Sequence, residues 1–163
     1  MKQINIIGAG LAGSEAANFL ANHGLTVHLY EMRPKNNTEA HHTSLFGELV
    51  CSNSLKNKKL DNACGLLKEE IKILGSLMME ASEHSSVPSG DSLAVDRTLF
   101  AEYITKKIKE NKNIIIHNEK VTKIPEGYTI ICTGPLTDKD LLFEIESITK
   151  QKSFGFFDAS API

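Results

Sequence analysis

The apolar and polar positions of the chain fall into short, well-separated periods. Residues 3–8, QINIIG, place Ile4, Ile6 and Ile7 ahead of a glycine and read as a buried strand of a parallel sheet. Leu11, Ala12, Ala16, Phe19 and Leu20 then recur at helical spacing and predict a helix over 11–23 with those side chains packed and Gly24 as its stop. TVHLYE (26–31) is a second strand, which completes a βαβ unit. Residues 33–60 are polar and aperiodic, and a segment of that kind is either functional or disordered. Leu66, Leu67, Ile71, Leu74, Leu77, Met78 and Ala81 predict one long helix from a cap at Asp61 or Asn62 to about residue 84. SLAVD (92–96) is a short strand, with Asp96 as the cap of a helix over roughly 97–110, and NIIIHN (113–118) is a further strand. KVTKI and YTIICTG flank the turn PEG and predict a β-hairpin. Thr137 is the expected cap of a last helix to about 149, after which FGFFDASAPI opens a strand. The fold class is therefore α/β: a Rossmann-like domain with a parallel sheet and a hairpin.

The first strand runs into Gly8-Ala9-Gly10-Leu11-Ala12-Gly13, a G-x-G-x-x-G pattern between strand and helix, the context in which the motif has meaning. Gly8 permits the tight turn, Gly10 lets the backbone approach a diphosphate, and Gly13 lets the helix pack on the strand. The helix N-terminus offers free N–H groups and the positive end of its dipole. Glu31 closes the second strand, where an acid accepts hydrogen bonds from the adenosine ribose and disfavours a 2′-phosphate. The fingerprint does not choose between FAD and NAD. YTIICTGP, a strand running into Thr133-Gly134, resembles the segment that many FAD-binding folds place beside the dinucleotide.

Composition narrows the setting. The 163 residues suit one domain, and a net charge of −2 gives no whole-chain signature of DNA or RNA binding. The apolar runs are too short to span a membrane, and MKQINIIGAGLAG is broken by glycines and does not read as a secretory signal. Three cysteines, Cys51, Cys64 and Cys132, have neither disulfide nor zinc spacing, which fits a reducing, cytoplasmic setting. Cys64 falls in a helical pattern and Cys132 in a strand, and both read as core. Cys51, in LVCSNS, reads either as a buried hydrophobe or as a working thiol.

GAGLAGSEAANFLANHGLTVHLYEMRP, HHTSLFGELVCSNSL, NACGLLKEEIKILGSLMMEAS, SLAVDRTLFAE, CTGPLTD and FFDASAPI occur together and in order. This set resembles the TrmFO family, folate- and FAD-dependent tRNA uracil-5-methyltransferases distantly similar to MnmG. The resemblance covers essentially the whole chain, and EMRP, LVCSNSL and AVDR are far more specific than the glycine loop. It implies FAD in a Rossmann-like domain, reduction of the flavin by NAD(P)H, and transfer of a methylene from 5,10-methylenetetrahydrofolate through the flavin to carbon 5 of the T-loop uridine of tRNA. It also places one of two active-site cysteines at Cys51, as the nucleophile that adds to carbon 6 or as the base that removes the carbon 5 proton.

Other positions are softer. Arg33 reaches the FAD adenosine or phosphates, or is an exposed loop arginine. Asn53 and Ser54 bond the flavin edge or cap a turn. His41 and His42 assist the thiol, shape the flavin pocket or face solvent. Arg97 pairs with a phosphate or a carboxylate, and Asp158 lines the FAD site or ends a strand. KNKK (56–59) and KKIKENK (106–112) are solvated faces or, less commonly for such clusters, RNA sites.

Family members are longer, and no residue here matches the second thiol. Residues 1–163 are thus expected to be the N-terminal portion of an FAD-binding domain that alone holds FAD weakly and transfers no methyl group. The competing classes are an rRNA methyltransferase of the same family, a small-molecule FAD oxidoreductase in which Cys51 is structural, and a noncatalytic binding module.

Overall fold

A computed structural model describes residues 2–151; the expected strand in FGFFDASAPI, and Asp158 with it, lies outside them. Strands β1 (Gln3–Ile7) and β2 (Thr26–Tyr30) flank helix α1 (Leu11–Asn22), as the βαβ pattern requires. After a long irregular segment come β3 (Ser54–Asn57), α2 (Ala63–Ile73), α3 (Leu77–His84), β4 (Ser86–Val87), β5 (Ser92–Val95), α4 (Arg97–Glu110), β6 (Ile114–His117), β7 (Thr129–Ile131) and α5 (Lys139–Thr149).

The main sheet is parallel, in the order β6-β2-β1-β7. The chain adds strands to one side of β1 and then crosses to the other with β7, so the order reverses between β1 and β7. In doubly wound sheets the crevice at such a reversal, beyond the carboxyl ends of the strands, is the usual ligand site. Alternation along the strands sends Ile6, Val27, Leu29 and Ile114 onto one face, where they form the core with Ala17, Ala21, Leu77, Ala81, Phe100, Ile104 and Ile108 from α1, α3 and α4. The opposite face carries His28, Tyr30 and His117, whose rings gather there: the His117 ring stacks on Tyr30 at 4.5 Å between centroids. A small antiparallel sheet, β3-β5-β4, stands apart.

Four expectations are corrected. The hairpin is absent: PEG is a turn, but β7 pairs in parallel with β1, and residues 119–125 form no strand. Lys120 is instead drawn to Asp138 and Asp140 (3.1 and 3.0 Å). The long helix is two. Ser76 caps α3 by accepting from Met79 N–H, and Glu15 of α1 accepts from Leu77 and Met78 N–H (3.0 and 2.9 Å), so α3 starts afresh against α1. Leu66, Leu67 and Leu74 are consequently exposed.

On α1 the buried residues are Gly13, Ser14, Ala17 and Ala21; of the expected set Ala16 and Leu20 are half-buried against the core, while Leu11, Ala12 and Phe19 are exposed. The helix lies so close to the sheet that only small side chains fit between. The larger residues border an apolar groove with Ile71, Leu74 and Met78. Finally, Asp138, not Thr137, caps α5, accepting from Asp140 N–H at 3.0 Å. The caps at Asn62 and Asp96 are as expected.

A candidate dinucleotide site beside the Cys51 segment

The carboxyl ends of β1 and β7 open into a cavity of about 290 Å3, walled by Ile7, Gly8, Gly10, Leu11, Ala12, Glu31, Arg33, His41, Val50, Thr133 and Gly134 among others. Gly8 makes the turn at φ +98°, outside the range comfortable for other residues, with its N–H donating to Tyr30 O (2.8 Å). A Cβ on Gly13 would lie 1.8 Å from Gly8 O, so the helix touches the turn there backbone to backbone. A Cβ on Gly10 would meet nothing within 4 Å. Gly10 is also the N-cap of α1 and supplies no side-chain acceptor. The first N–H groups of the helix therefore face open space with the dipole behind them, a donor set that suits a diphosphate.

Beside the turn lies a buried ionic group. Glu31 and Arg33 are 6% and 2% exposed. Glu31 Oε2 accepts from Ala9 N–H (3.0 Å) and Arg33 Nη2 (3.1 Å), and Oε1 accepts from Arg33 N–H and Nε (both 3.0 Å). A carboxylate has about four acceptor positions, so an arriving ribose hydroxyl must share an oxygen already bonded. Arg33 Nη1 donates onward to Thr43 O (3.2 Å) and Glu48 Oε2 (3.1 Å). Arg33 is thus not an exposed loop arginine. It lines the cavity with its guanidinium engaged by two acids. Glu48 also accepts from His42 N–H, Thr43 N–H and Thr43 Oγ1.

Burial pushes the Glu31 carboxyl up, but the Arg33 hydrogen bonds and charge, with the backbone N–H groups of Arg33 and Ala9, outweigh it and hold it below its ordinary value of 4.5. Glu48 is likewise lowered: burial raises it, and the donors from His42 and Thr43 overcome that. A carboxyl depressed in the folded state adds stability above its unfolded pKa and loses it as pH falls through the folded one. The stability gap between wild type and Glu48→Gln is therefore expected to be full near pH 7 and to close below about pH 4.5, which urea melts across that range will read. His41 is lowered by burial and by the Arg33 charge; its Nδ1 lies 2.6 Å from Thr38 Oγ1. Burial pushes the Cys132 thiol up, which keeps it protonated in the cavity wall.

Cys51 is exposed, and Val50 rather than Cys51 borders the cavity. Its carbonyl accepts from Arg97 Nη2 at 3.0 Å, so Arg97 serves the backbone of this segment rather than a carboxylate. Asn53 exchanges bonds with Val95: its Nδ2 donates to Val95 O (3.2 Å) and its carbonyl accepts from Val95 N–H (3.0 Å). Ser54 begins β3. Thr133 and Gly134 stand in the cavity wall, with Thr133 Oγ1 and Thr137 Oγ1 2.6 Å apart. The structure thus groups Gly8, Gly10, Leu11, Ala12, Glu31, Arg33, Thr133 and Gly134 about one cavity, with Ala9 and Gly13 in the turn beneath and Cys51 and Asn53 on the adjoining segment.

Glu48 went unremarked in the sequence. Its signal was an acid set within the apolar run LFGELV, where a carboxylate needs a buried partner.

The family model for glucose inhibited division protein A matches residues 3–155. The chain belongs to the GidA family. Among relatives, the methylenetetrahydrofolate--tRNA-(uracil-5-)-methyltransferase TrmFO of Listeria monocytogenes serotype 4b is 54% identical over 99% of this chain. Those of Exiguobacterium sp. and Bacillus cereus strain Q1 are 52% identical over 99% and 98%. The chain spans 37% of the length of each. GidA of Aquifex aeolicus superposes with a TM-score of 0.64 at 20% identity, covering 82% of this chain and 25% of that one. CtdE, solved in complex with FAD and a substrate, superposes at 0.51 with 14% identity, covering 83% and 38%. At those identities the two structures speak for the fold alone.

Proposed function

We propose that this sequence forms the FAD-holding, N-terminal portion of a methylenetetrahydrofolate-dependent tRNA (uracil-5-)-methyltransferase of the cytoplasm. The observation that carries the proposal is the shared cavity: its floor is the uncapped turn at Gly8–Gly13, and Val50, the neighbour of Cys51, stands in its wall. The relatives that match nearly the whole chain carry the name of that activity. Nicotinamide and folate co-substrates and the T-loop uridine of tRNA follow from the same reading. No helix among the described residues is long and apolar enough to cross a membrane.

In this reading the N–H groups at the start of α1 hold the FAD diphosphate, while Glu31 and Arg33 face the adenosine. Bound FAD supplies the redox chemistry that converts the folate-borne carbon into a methyl group. Cys51 addresses the pyrimidine, because carbon 5 of uracil is a poor nucleophile on its own. As a nucleophile, its thiolate forms a bond to carbon 6, and the C5=C6 π pair moves towards O4, which makes carbon 5 enolate-like. After carbon 5 has bonded to the one-carbon unit, a base takes the carbon 5 proton, the double bond re-forms and the C6–S bond breaks. As the base, Cys51 thiolate takes that proton instead. Cys132, whose thiol burial pushes up, is half-buried against the core in the cavity wall, a packing position.

The test is made on the complete protein. A flavin absorbance spectrum, its displacement by ADP, and 5-methyluridine formation on undermodified tRNA with methylenetetrahydrofolate and NAD(P)H are all expected. Product on ribosomal RNA but not tRNA would move the substrate to the rRNA alternative. Failure to bind flavin or ADP would refute the reading.

A further inference from the structure

The glycine turn and the Cys51 segment are joined by a closed circuit of contacts. Ala9, inside the turn, donates its N–H to Glu31 Oε2. Glu31 is held by Arg33, and Arg33 Nη1 reaches Glu48. The peptide before Glu48 returns to the start, because Gly47 N–H donates to Ala9 O at 2.9 Å. Glu48 lies three residues ahead of Cys51, and beyond Cys51 the chain is pinned by Arg97 on the Cys51 carbonyl and by Asn53 on Val95. The cysteine is thus slung between an anchor on the dinucleotide turn and an anchor on α4 and β5, with its side chain exposed.

We propose that Glu48 and Arg33 are positioning residues that couple occupancy of the Gly8–Gly13 turn to the reactivity of Cys51. The inference rests on the dinucleotide reading of that turn. Its physical basis is the filled acceptor shell of Glu31. Three of the four donors on Glu31 come from Arg33 and the fourth is Ala9 N–H of the turn, so a ribose hydroxyl that bonds Glu31 competes with one end or the other of the circuit, and Arg33 is the side chain that links Glu31 to Glu48. Ligand arrival therefore changes the Arg33–Glu48 contact, and Glu48 gathers the 42–43 backbone on the same side. A ligand shifts a segment only through contacts that differ between its two placements, and Arg33 supplies that difference. By linkage the effect is reciprocal: a group attached to Cys51 alters ligand affinity at the turn by the same factor.

The experiment uses the complete protein freed of bound nucleotide, ADP as the probe, and the rate of iodoacetamide alkylation at residue 51. Peptide mass spectrometry separates that label from Cys64 and Cys132, the latter lying in the cavity wall. Saturating ADP is expected to change the Cys51 rate by about fivefold or more in wild type. In Glu48→Gln the ratio with and without ADP falls towards one while ADP still binds, and Glu48→Asp recovers part of it. Thr43→Val removes one donor to Glu48 and is the milder variant if Glu48→Gln does not fold; its ratio falls between the two. Because ADP itself stabilises the fold, a thermal melt of each variant with and without ADP separates a loss of stability from a loss of coupling. An unchanged ratio in the variants, or a wild-type ratio of one with ADP bound, overturns the coupling alone. Absence of ADP binding overturns the dinucleotide reading and the coupling with it.

Discussion

Cys51→Ala is expected to abolish 5-methyluridine formation by the complete protein, a fall on the order of 10³-fold or more, while flavin stays bound. The two halves of this outcome have separate origins. In the proposed mechanism, loss of the nucleophile leaves the pyrimidine unactivated, loss of the base leaves its adduct unresolved, and the other thiols in the described residues are placed elsewhere. Cys132 is kept protonated by burial, and Cys64 sits at the start of α2 on the far side of β3 in the chain. Flavin retention follows because the Cys51 side chain is outside the cavity wall, and the contact made by this residue to Arg97 uses its carbonyl, which alanine keeps. Cys51→Ser is expected to behave the same way, since an unactivated hydroxyl is a far weaker nucleophile than a thiolate. Absorbance at the flavin bands and nucleoside analysis of the tRNA read the two halves independently. Methyl transfer surviving in Cys51→Ala would make the cysteine structural and favour an oxidoreductase acting on a small molecule.

The parts of this molecule that could be read from the sequence are those set by local chemistry. The strand of residues 3–7, the glycine turn, the caps at Asn62 and Asp96 and the β6 strand follow from apolar alternation and from side chains that bond their own backbone. What could not be read depended on partners distant in the chain. The break before α3 is decided by Glu15, sixty-odd residues away, whose carboxylate takes the Leu77 and Met78 N–H groups. On α1 helical spacing locates Ala16 and Leu20 against the core but does not separate them from the exposed Leu11, Ala12 and Phe19. Against a parallel sheet approached at backbone distance, glycine, serine and alanine go inside and Phe19 goes out. The hairpin failed because β7 satisfies its backbone on β1, a pairing across more than a hundred residues. Arg33 lay between two descriptions, ligand contact or loose loop, and its place in a buried carboxylate pair needed Glu48, which periodicity does not reveal.

Alanine substitutions at Gly13 and Gly10, which share one turn, are expected to fail in different ways. Gly13→Ala places a Cβ 1.8 Å from Gly8 O, 2.9 Å from Gly8 C and 3.2 Å from Cys132 Cβ. Backbone atoms cannot yield as a flexible side-chain tip can, so α1 must lift from β1 and β7 or the turn must unwind. Overpacking of this kind costs about 3 kcal/mol or more, and ADP binding is lost with the fold. Gly10→Ala adds the same methyl where nothing lies within 4 Å, at φ −71° and ψ −164°, an extended conformation open to any residue. Thermal stability should match wild type. The methyl projects beside the first N–H groups of α1, where a diphosphate has to approach the backbone, so ADP affinity should fall by about tenfold or more, roughly 1.4 kcal/mol. Thermal melts and ADP titration of both variants separate a turn that glycine serves for packing from one that it serves for a ligand. Unchanged ADP affinity in Gly10→Ala would mean that the diphosphate lies elsewhere, and the N-terminus of α1 would then be an open helix end without an anion to hold.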